Sequence, residues 1–188
     1  MQLSLDTAAD DGEVQGSQWY PDGEAQGLQI GYWDTDKTWG YFRFALTAPV
    51  PQGALIKSAS LTLVGNSRDT WNPQTNALQI HLEDSADAAV VSGADANPSN
   101  GTGRVLTKAS VRWPSSGGLD WGVDGKTNTS PDLGAMLQEA GTKRSLPAGT
   151  HVQLWVVGAD PAQGVVEAKR FGDAQNPNPT SLAINLCR

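Results

Sequence analysis

The chain predicts an all-β fold, a sandwich of two antiparallel sheets with one short helix near residues 131–140. Three observations lead there. Apolar and polar residues alternate along most of the chain, turn signals containing Pro, Gly or Asn separate the alternating runs, and one segment alone has helical spacing.

The alternation is strict at Leu3 and Leu5, Leu28 and Ile30, and Leu61 and Leu63. It recurs at Leu78, Ile80 and Leu82, at Val152, Leu154 and Val156, and at Leu182, Ile184 and Leu186. A period of two places such residues on one face of a half-buried strand. The expected strands are therefore 2–8, 27–33, 38–46, 55–65, 77–84, 105–113, 150–158, 164–171 and 181–187. Eight or nine strands without intervening helices must bury their apolar faces against one another, as two packed sheets. The last strand is expected to run to within one residue of Arg188, so both termini join the sheets and 1–188 reads as one complete domain.

PQGAL after Val50, DPAQG after Ala159 and NPNP before Thr180 supply the fixed or positive φ that turns require. The 21 Gly and 11 Pro suit many short elements, and a chain of 188 residues is long enough for one core. Longer irregular stretches, roughly 66–76, 85–104 and 114–128, are rich in Gly, Ser, Asn, Asp and Trp, and a local function belongs there.

The helix is read from TSPDLGAMLQEAG. Ser130 is placed to cap free amides, Pro131 suits the first helical position, and Asp132 complements the positive end of the helix dipole. Leu133, Met136, Leu137 and Ala140 fall at i, i+3, i+4 and i+7, giving one apolar stripe before Gly141 can end the helix. Such a helix is a plug over an open end of the sandwich.

Acids outnumber Lys and Arg by 20 to 13, a net charge of −7, which disfavours nucleic acid and anionic membranes as partners. Eight acids precede the first base, Lys37. Asp10, Asp11 and Glu13 flank Gly12 in an expected acidic turn, and Asp34 and Asp36 share a second. Hard Ca²⁺ gathers six to eight oxygens from loops of this kind, so these five are candidate ligands of a structural Ca²⁺. Arg43 alternates with Phe42 and Phe44 and should face away from them, pairing with an acid of the N-terminal group.

Catalytic motifs are absent: there is no G-x-S-x-G elbow, P-loop or H-E-x-x-H, and His81 and His151 read as packed or half-exposed strand residues. The start of the chain has no basic, apolar signal-peptide pattern, and no segment is long and apolar enough to span a bilayer as a helix. The one cysteine, Cys187, reads as a small buried hydrophobe. Among seven tryptophans, Trp113 and Trp155 fall in strands, whereas Trp19, Trp33, Trp39, Trp71 and Trp121 lie in or beside turns. There they anchor loops on the core, stack on sugars or serve a protein interface. Trp33, Trp39, Trp71 and Trp121 are the candidate ligand or interface residues.

VRWPSSGGLDWGVDGKTNTSPDLGAMLQEAG resembles the later half of bacterial jelly-roll domains that read V-x-W, a Gly-rich loop, then T-P-D-L and Q-E. DDGEV, GYFRFAL and VPQGALIKSASLTL resemble the earlier half in the same order. The resemblance implies a jelly-roll-like sandwich and a non-catalytic module of the kind found on secreted polysaccharide-active enzymes and surface proteins, some of which are thought to bind glycans. Without an export signal, the nearer analogy is a small stand-alone jelly roll of a bacteriophage virion. The sequence reading is thus a non-catalytic virion decoration (cement) or fibre-like knob, a homo-oligomer, with trimer the first expectation, bound to capsid or other virion proteins. The alternative is a carbohydrate-binding module, secreted or on the cell surface as part of a larger protein, with a polysaccharide partner.

Overall fold

A computed structural model describes residues 1–7, 9–16, 18–20, 27–33, 36–66, 77–93, 98, 104–113, 125–160, 165–168 and 180–187. Their strands are β1 (Gln2–Ser4), β2 (Asp11–Gln15), β3 (Gln18–Tyr20), β4 (Leu28–Trp33), β5 (Asp36–Ala45), β6 (Ile56–Val64), β7 (Leu78–Glu83), β8 (Leu106–Trp113), β9 (Thr127–Thr129), β10 (His151–Gly158), β11 (Val165–Ala168) and β12 (Ser181–Leu186). One helix, α1, spans Gly134–Lys143. The smaller sheet runs β1-β12-β6-β9 and the larger β11-β4-β5-β10-β7-β8, with β2 pairing β5 and β3. Every described ladder is antiparallel. The jelly-roll-like sandwich is the fold that forms.

Alternation sorts the side chains as anticipated. Phe42 and Phe44 on β5, Leu154 and Val156 on β10, and Ile80 and Leu82 on β7 join Leu61, Leu63, Leu182 and Ile184 of the facing sheet in one buried core. Full burial of each such side chain contributes ~1.5–3 kcal/mol before the entropy of ordering it is subtracted. Gly40 also sits on β5, where a Cβ would come within 2.8 Å of Ile30 Cγ1 and 2.9 Å of Leu28 Cδ2. Those two side chains fill the place its own would take.

The helix keeps its apolar stripe but shifts along the chain. It begins at Gly134 after Leu133, which caps it without a side-chain bond, and Gly141 lies buried inside it rather than ending it. Ser130 is no cap: its Oγ accepts the Leu61 N–H at 2.9 Å. Asp132 Oδ1 accepts both Gly134 N–H at 2.9 Å and Ala59 N–H at 2.8 Å. These side chains are drawn to β6 because β9 pairs only with Thr62, Leu63 and Val64, leaving the rest of that edge open. Gln138 completes the edge, donating to Ala54 O at 3.0 Å and accepting Ile56 N–H at 2.8 Å. Met136, Leu137 and Ala140 are buried in the core. The helix therefore plugs the sandwich along its side, between β6 and β8, rather than at an end.

Other expectations need correcting. The first strand stops at Ser4 instead of residue 8, because Asp10 Oδ2 takes Thr7 N–H and Oγ1 and folds the chain into a turn. Asp11–Gln15, read as part of an acidic turn, is strand β2 beside β5. Trp19 and Trp39, placed in or beside turns, lie within β3 and β5. Cys187 is exposed, not buried. It follows the last β12 residue, and its N–H bonds to Leu55 O at 2.8 Å.

Candidate functional site

The outer face of the larger sheet carries a second apolar cluster, Val14, Trp39, Tyr41, Val91, Trp155 and Val157, with Trp19 and Leu106 packed on it. Register explains the gathering: Tyr41 stands opposite Trp155 on β10 and Gly12 on β2, while Trp39 faces Val14. A Cβ at Gly12 would meet the Tyr41 hydroxyl at 2.3 Å and its ring at 2.5 Å, so only glycine lets the tyrosine lie over β2.

Trp155 is the centre of this face and is fully buried. Its ring centroid lies 5.6 Å from Tyr41 and 6.4 Å, edge-on, from Trp39. Its Nε1 donates to Glu83 Oε2 at 3.1 Å. Arg104 pairs with the same carboxylate at 2.9 Å, and its guanidinium lies 5.8 Å from the Trp155 centroid. An indole N–H and a guanidinium together satisfy a carboxylate that burial would otherwise penalise.

A strap, residues 84–91, crosses the same face. Arg43 Nε donates to Ala88 O at 2.7 Å, and Ala88 N–H donates to His151 O at 3.0 Å. Arg104 donates to Ala89 O at 2.8 Å and to Val90 O at 3.0 Å. Arg43 also pairs with Asp10 at 2.7 Å, the ion pair expected from its alternation with Phe42 and Phe44. Between the two arginines lies Gln153, fully buried, its Oε1 and Nε2 without a hydrogen-bond partner among the described residues.

Beyond the strap, His81 packs on Trp39 with ring centroids 5.6 Å apart, and Lys37 Nζ lies 5.8 Å from the Trp39 centroid. Burial, and then the Lys37 charge, push the His81 pKa below its ordinary value. Both histidines sit half-buried on strands, as anticipated, and His151 Nδ1 lies 2.9 Å from Asp87 Oδ1.

The outer face of the smaller sheet differs in chemistry. Ser4 pairs with Ser181, Ser181 with Thr62, and Thr62 with Thr129, a row of four hydroxyl residues across four strands. Gln2, Ala183 and Ser60 form the next row, and Asn185 Nδ2 bonds Ser58 Oγ at 2.9 Å. Alternation sends Leu3, Leu182, Ile184, Leu61 and Leu63 inward, so the rows from Ser58 to Thr62 of β6 carry no charge on this face, and the one charged residue of these four strands, Lys57, stands exposed at the β-bulge near one end.

Among the described residues, the acids singled out from sequence have separate partners. Asp10 is held by Arg43 and Thr7, and Glu13 accepts the Gln29 N–H. Asp36 is exposed at the start of β5, and Asp34 lies outside the described residues. Among the described residues no three metal-capable side chains cluster. Trp39 is packed in the second cluster at 4% exposure. Trp71, Trp121 and the side chain of Trp33 lie outside the description. Sequence reasoning missed Gln153, Glu83 and Arg104. Gln153 and Glu83 occupy the polar positions of alternating strands, the pattern of a solvated face, and only the strap reveals them as buried.

No protein-family model matches the chain, and no curated protein matches its sequence.

Proposed function

We propose that the protein is a non-catalytic structural protein, a virion decoration or fibre-like knob that docks as a homo-oligomer on a protein lattice. One observation carries this reading: the hydroxyl-bearing outer face of the smaller sheet, which holds no acid on its described strands and only Lys57 at one end, in a chain of net charge −7. Copies of an acidic protein repel one another over most of their surfaces, and a neutral face is where that repulsion is least. Strands about 4.8 Å apart make such a face only some 15–20 Å wide. Its strands are three to nine residues long at ~3.3 Å per residue, so the face comes to roughly 200–600 Å², short of the roughly 800 Å² per partner of a standard interface. A weak contact of this kind gains strength through several subunits engaging a repeating lattice, which favours a symmetric oligomer, a trimer first. The virion setting rests on the fold analogy alone.

Sedimentation velocity across a concentration series tests the reading. The wild-type chain is expected to self-associate, and Thr62→Glu, which puts a charge at the centre of the face, to sediment as a monomer with an unchanged circular dichroism spectrum. Equal sedimentation of the two would overturn it. A glycan-binding module is the second reading, and it rests on the tryptophans of the irregular stretches, Trp71 and Trp121. A monomer retarded in a polysaccharide affinity gel, and released by Trp71→Ala or Trp121→Ala, would establish that alternative.

A further inference from the structure

The outer face of the larger sheet carries charge of opposite sign at its two ends. Val157 of the second cluster pairs with Gln79 and Gln79 with Arg112, while Trp155 pairs with His81 and His81 with Ser110, so these side chains share one face. Lys37 joins them from β5, its Nζ over the Trp39 ring on which His81 also packs. Gln79 Nε2 donates to Ser110 Oγ at 2.9 Å. Lys37 and Arg112 are exposed, and neither forms an ion pair among the described residues, although acids outnumber Lys and Arg by 20 to 13. Asp36 precedes Lys37 but alternates to the other side of β5.

The far end of the face lies at His151, the start of β10, roughly 20 Å from Val157 at the rise of a strand. There the strap presents Asp87, whose side chain is 59% exposed. Its Oδ1 accepts the His151 N–H at 2.8 Å and lies 2.9 Å from His151 Nδ1, while Oδ2 has no bond among the described residues. The two bonds to His151 lower the Asp87 pKa, so the carboxylate stays ionised.

We propose that this face docks on the same face of a second copy, about a two-fold axis near the middle of β10, so that the Asp87 carboxylate of each copy meets Lys37 and Arg112 of the other. A two-fold axis reverses the order of the ends, and a face with cations at one end and a carboxylate at the other is then complementary to itself. In a chain of net charge −7, unpaired cations are the places where a second copy is attracted rather than repelled. The contact rests on the homo-oligomer reading and lies on the opposite layer from the hydroxyl-bearing face. Exposed ion pairs are weak alone, so it holds only where the smaller-sheet contact also brings copies together.

Two measurements test the contact. In a mixture of ¹⁵N-labelled and unlabelled wild-type protein, carbodiimide should join Asp87 of one copy to Lys37 of another, read as a mixed-isotope peptide by mass spectrometry. Within one copy the two residues stand at opposite ends of the face, beyond the reach of a zero-length link. By sedimentation equilibrium, Arg112→Glu should weaken self-association about tenfold or more, and adding Asp87→Arg should recover part of the loss. The gap between wild type and Arg112→Glu should narrow as salt is raised. Absence of the cross-link, or self-association unchanged in Arg112→Glu, overturns the proposal. Retention on dextran sulfate that is lost in Arg112→Glu, without any effect on self-association, would assign the cations to an acidic polymer and overturn it as well. Thr62→Glu bears on the smaller-sheet contact alone, so either contact can fail while the other stands. The cross-link needs no substitution, so the test holds even if a variant does not fold.

Discussion

Gln138 and Glu139 are neighbours on α1, yet they are bonded to different sheets. Gln138 completes the β6 edge, while Glu139 accepts the N–H groups of Lys108 at 3.1 Å and Ala109 at 2.9 Å on β8. One turn of helix thus fastens both layers of the sandwich, through side chains that stand in for missing strand partners.

That arrangement sets an acid response. The Ala109 and Lys108 amides, with Lys143 behind them, hold the Glu139 pKa down to about 2 from an ordinary value of 4.5. A depressed carboxylate stabilises the fold above its unfolded pKa, and the contribution is lost as pH falls from about 4.5 toward 2. Melting temperatures across that window should fall more steeply for the wild type than for Glu139→Gln, and parallel curves would refute the staple. His81, whose pKa is lowered by burial and Lys37, works in a separate window. It favours the fold above its ordinary value of 6.5 and costs stability as pH drops below it.

Leu137→Ala should destabilise the protein by ~2–5 kcal/mol, since it removes a side chain that is 2% exposed and leaves a cavity beneath the helix. Chemical denaturation reads this directly. An unchanged midpoint would mean that the stripe does not face the core.

Arg104→Ala should cost ~3–5 kcal/mol, because the buried Glu83 carboxylate loses its cation. The same change frees the carbonyls of Ala89 and Val90. Amide hydrogen exchange should therefore quicken along residues 84–91 more than on β12, and uniform exchange would separate the arginine from the strap.

Gly12→Ala should destabilise by ~1–3 kcal/mol, since the added methyl meets the rigid ring of Tyr41. Gly40→Ala meets the ends of flexible Ile30 and Leu28 side chains and should cost less. Urea midpoints in the reverse order would place the constraint elsewhere.

The strands with clean alternation were legible to within a residue or two: β6, β7, β8, β10 and β12 carry their inward residues at every second position. β2 was not, because DGEVQ offers one apolar side chain and two acids. The partner that relieves the preceding acid, Asp10, lies 33 residues away at Arg43. β9, the segment TNT, was hidden for a related reason: its place comes from the β6 edge rather than from any apolar period of its own. The helix boundary slipped because Ser130 and Asp132, natural caps by local rules, are recruited by β6. Gln153 was illegible as a buried residue because its cover is a distant, non-repetitive segment. Local propensity carries no record of such long-range claims on a side chain.

The pairing of β1 with β12 has a kinetic consequence. Gln2 stands opposite Ala183, and the Met1 amino group bonds to the Ile184 carbonyl. This ladder therefore bridges nearly the whole chain, and no shorter stretch can nucleate it. The larger sheet holds local hairpins, such as β4 with β5, that can zip early. The four-stranded layer must wait for the most distant loop closure in the molecule, which predicts slow folding with β1 docking last. Until that docking, the backbone edge of β12 is unpaired and open to a strand from another copy, so dilute refolding should recover more native protein than concentrated refolding.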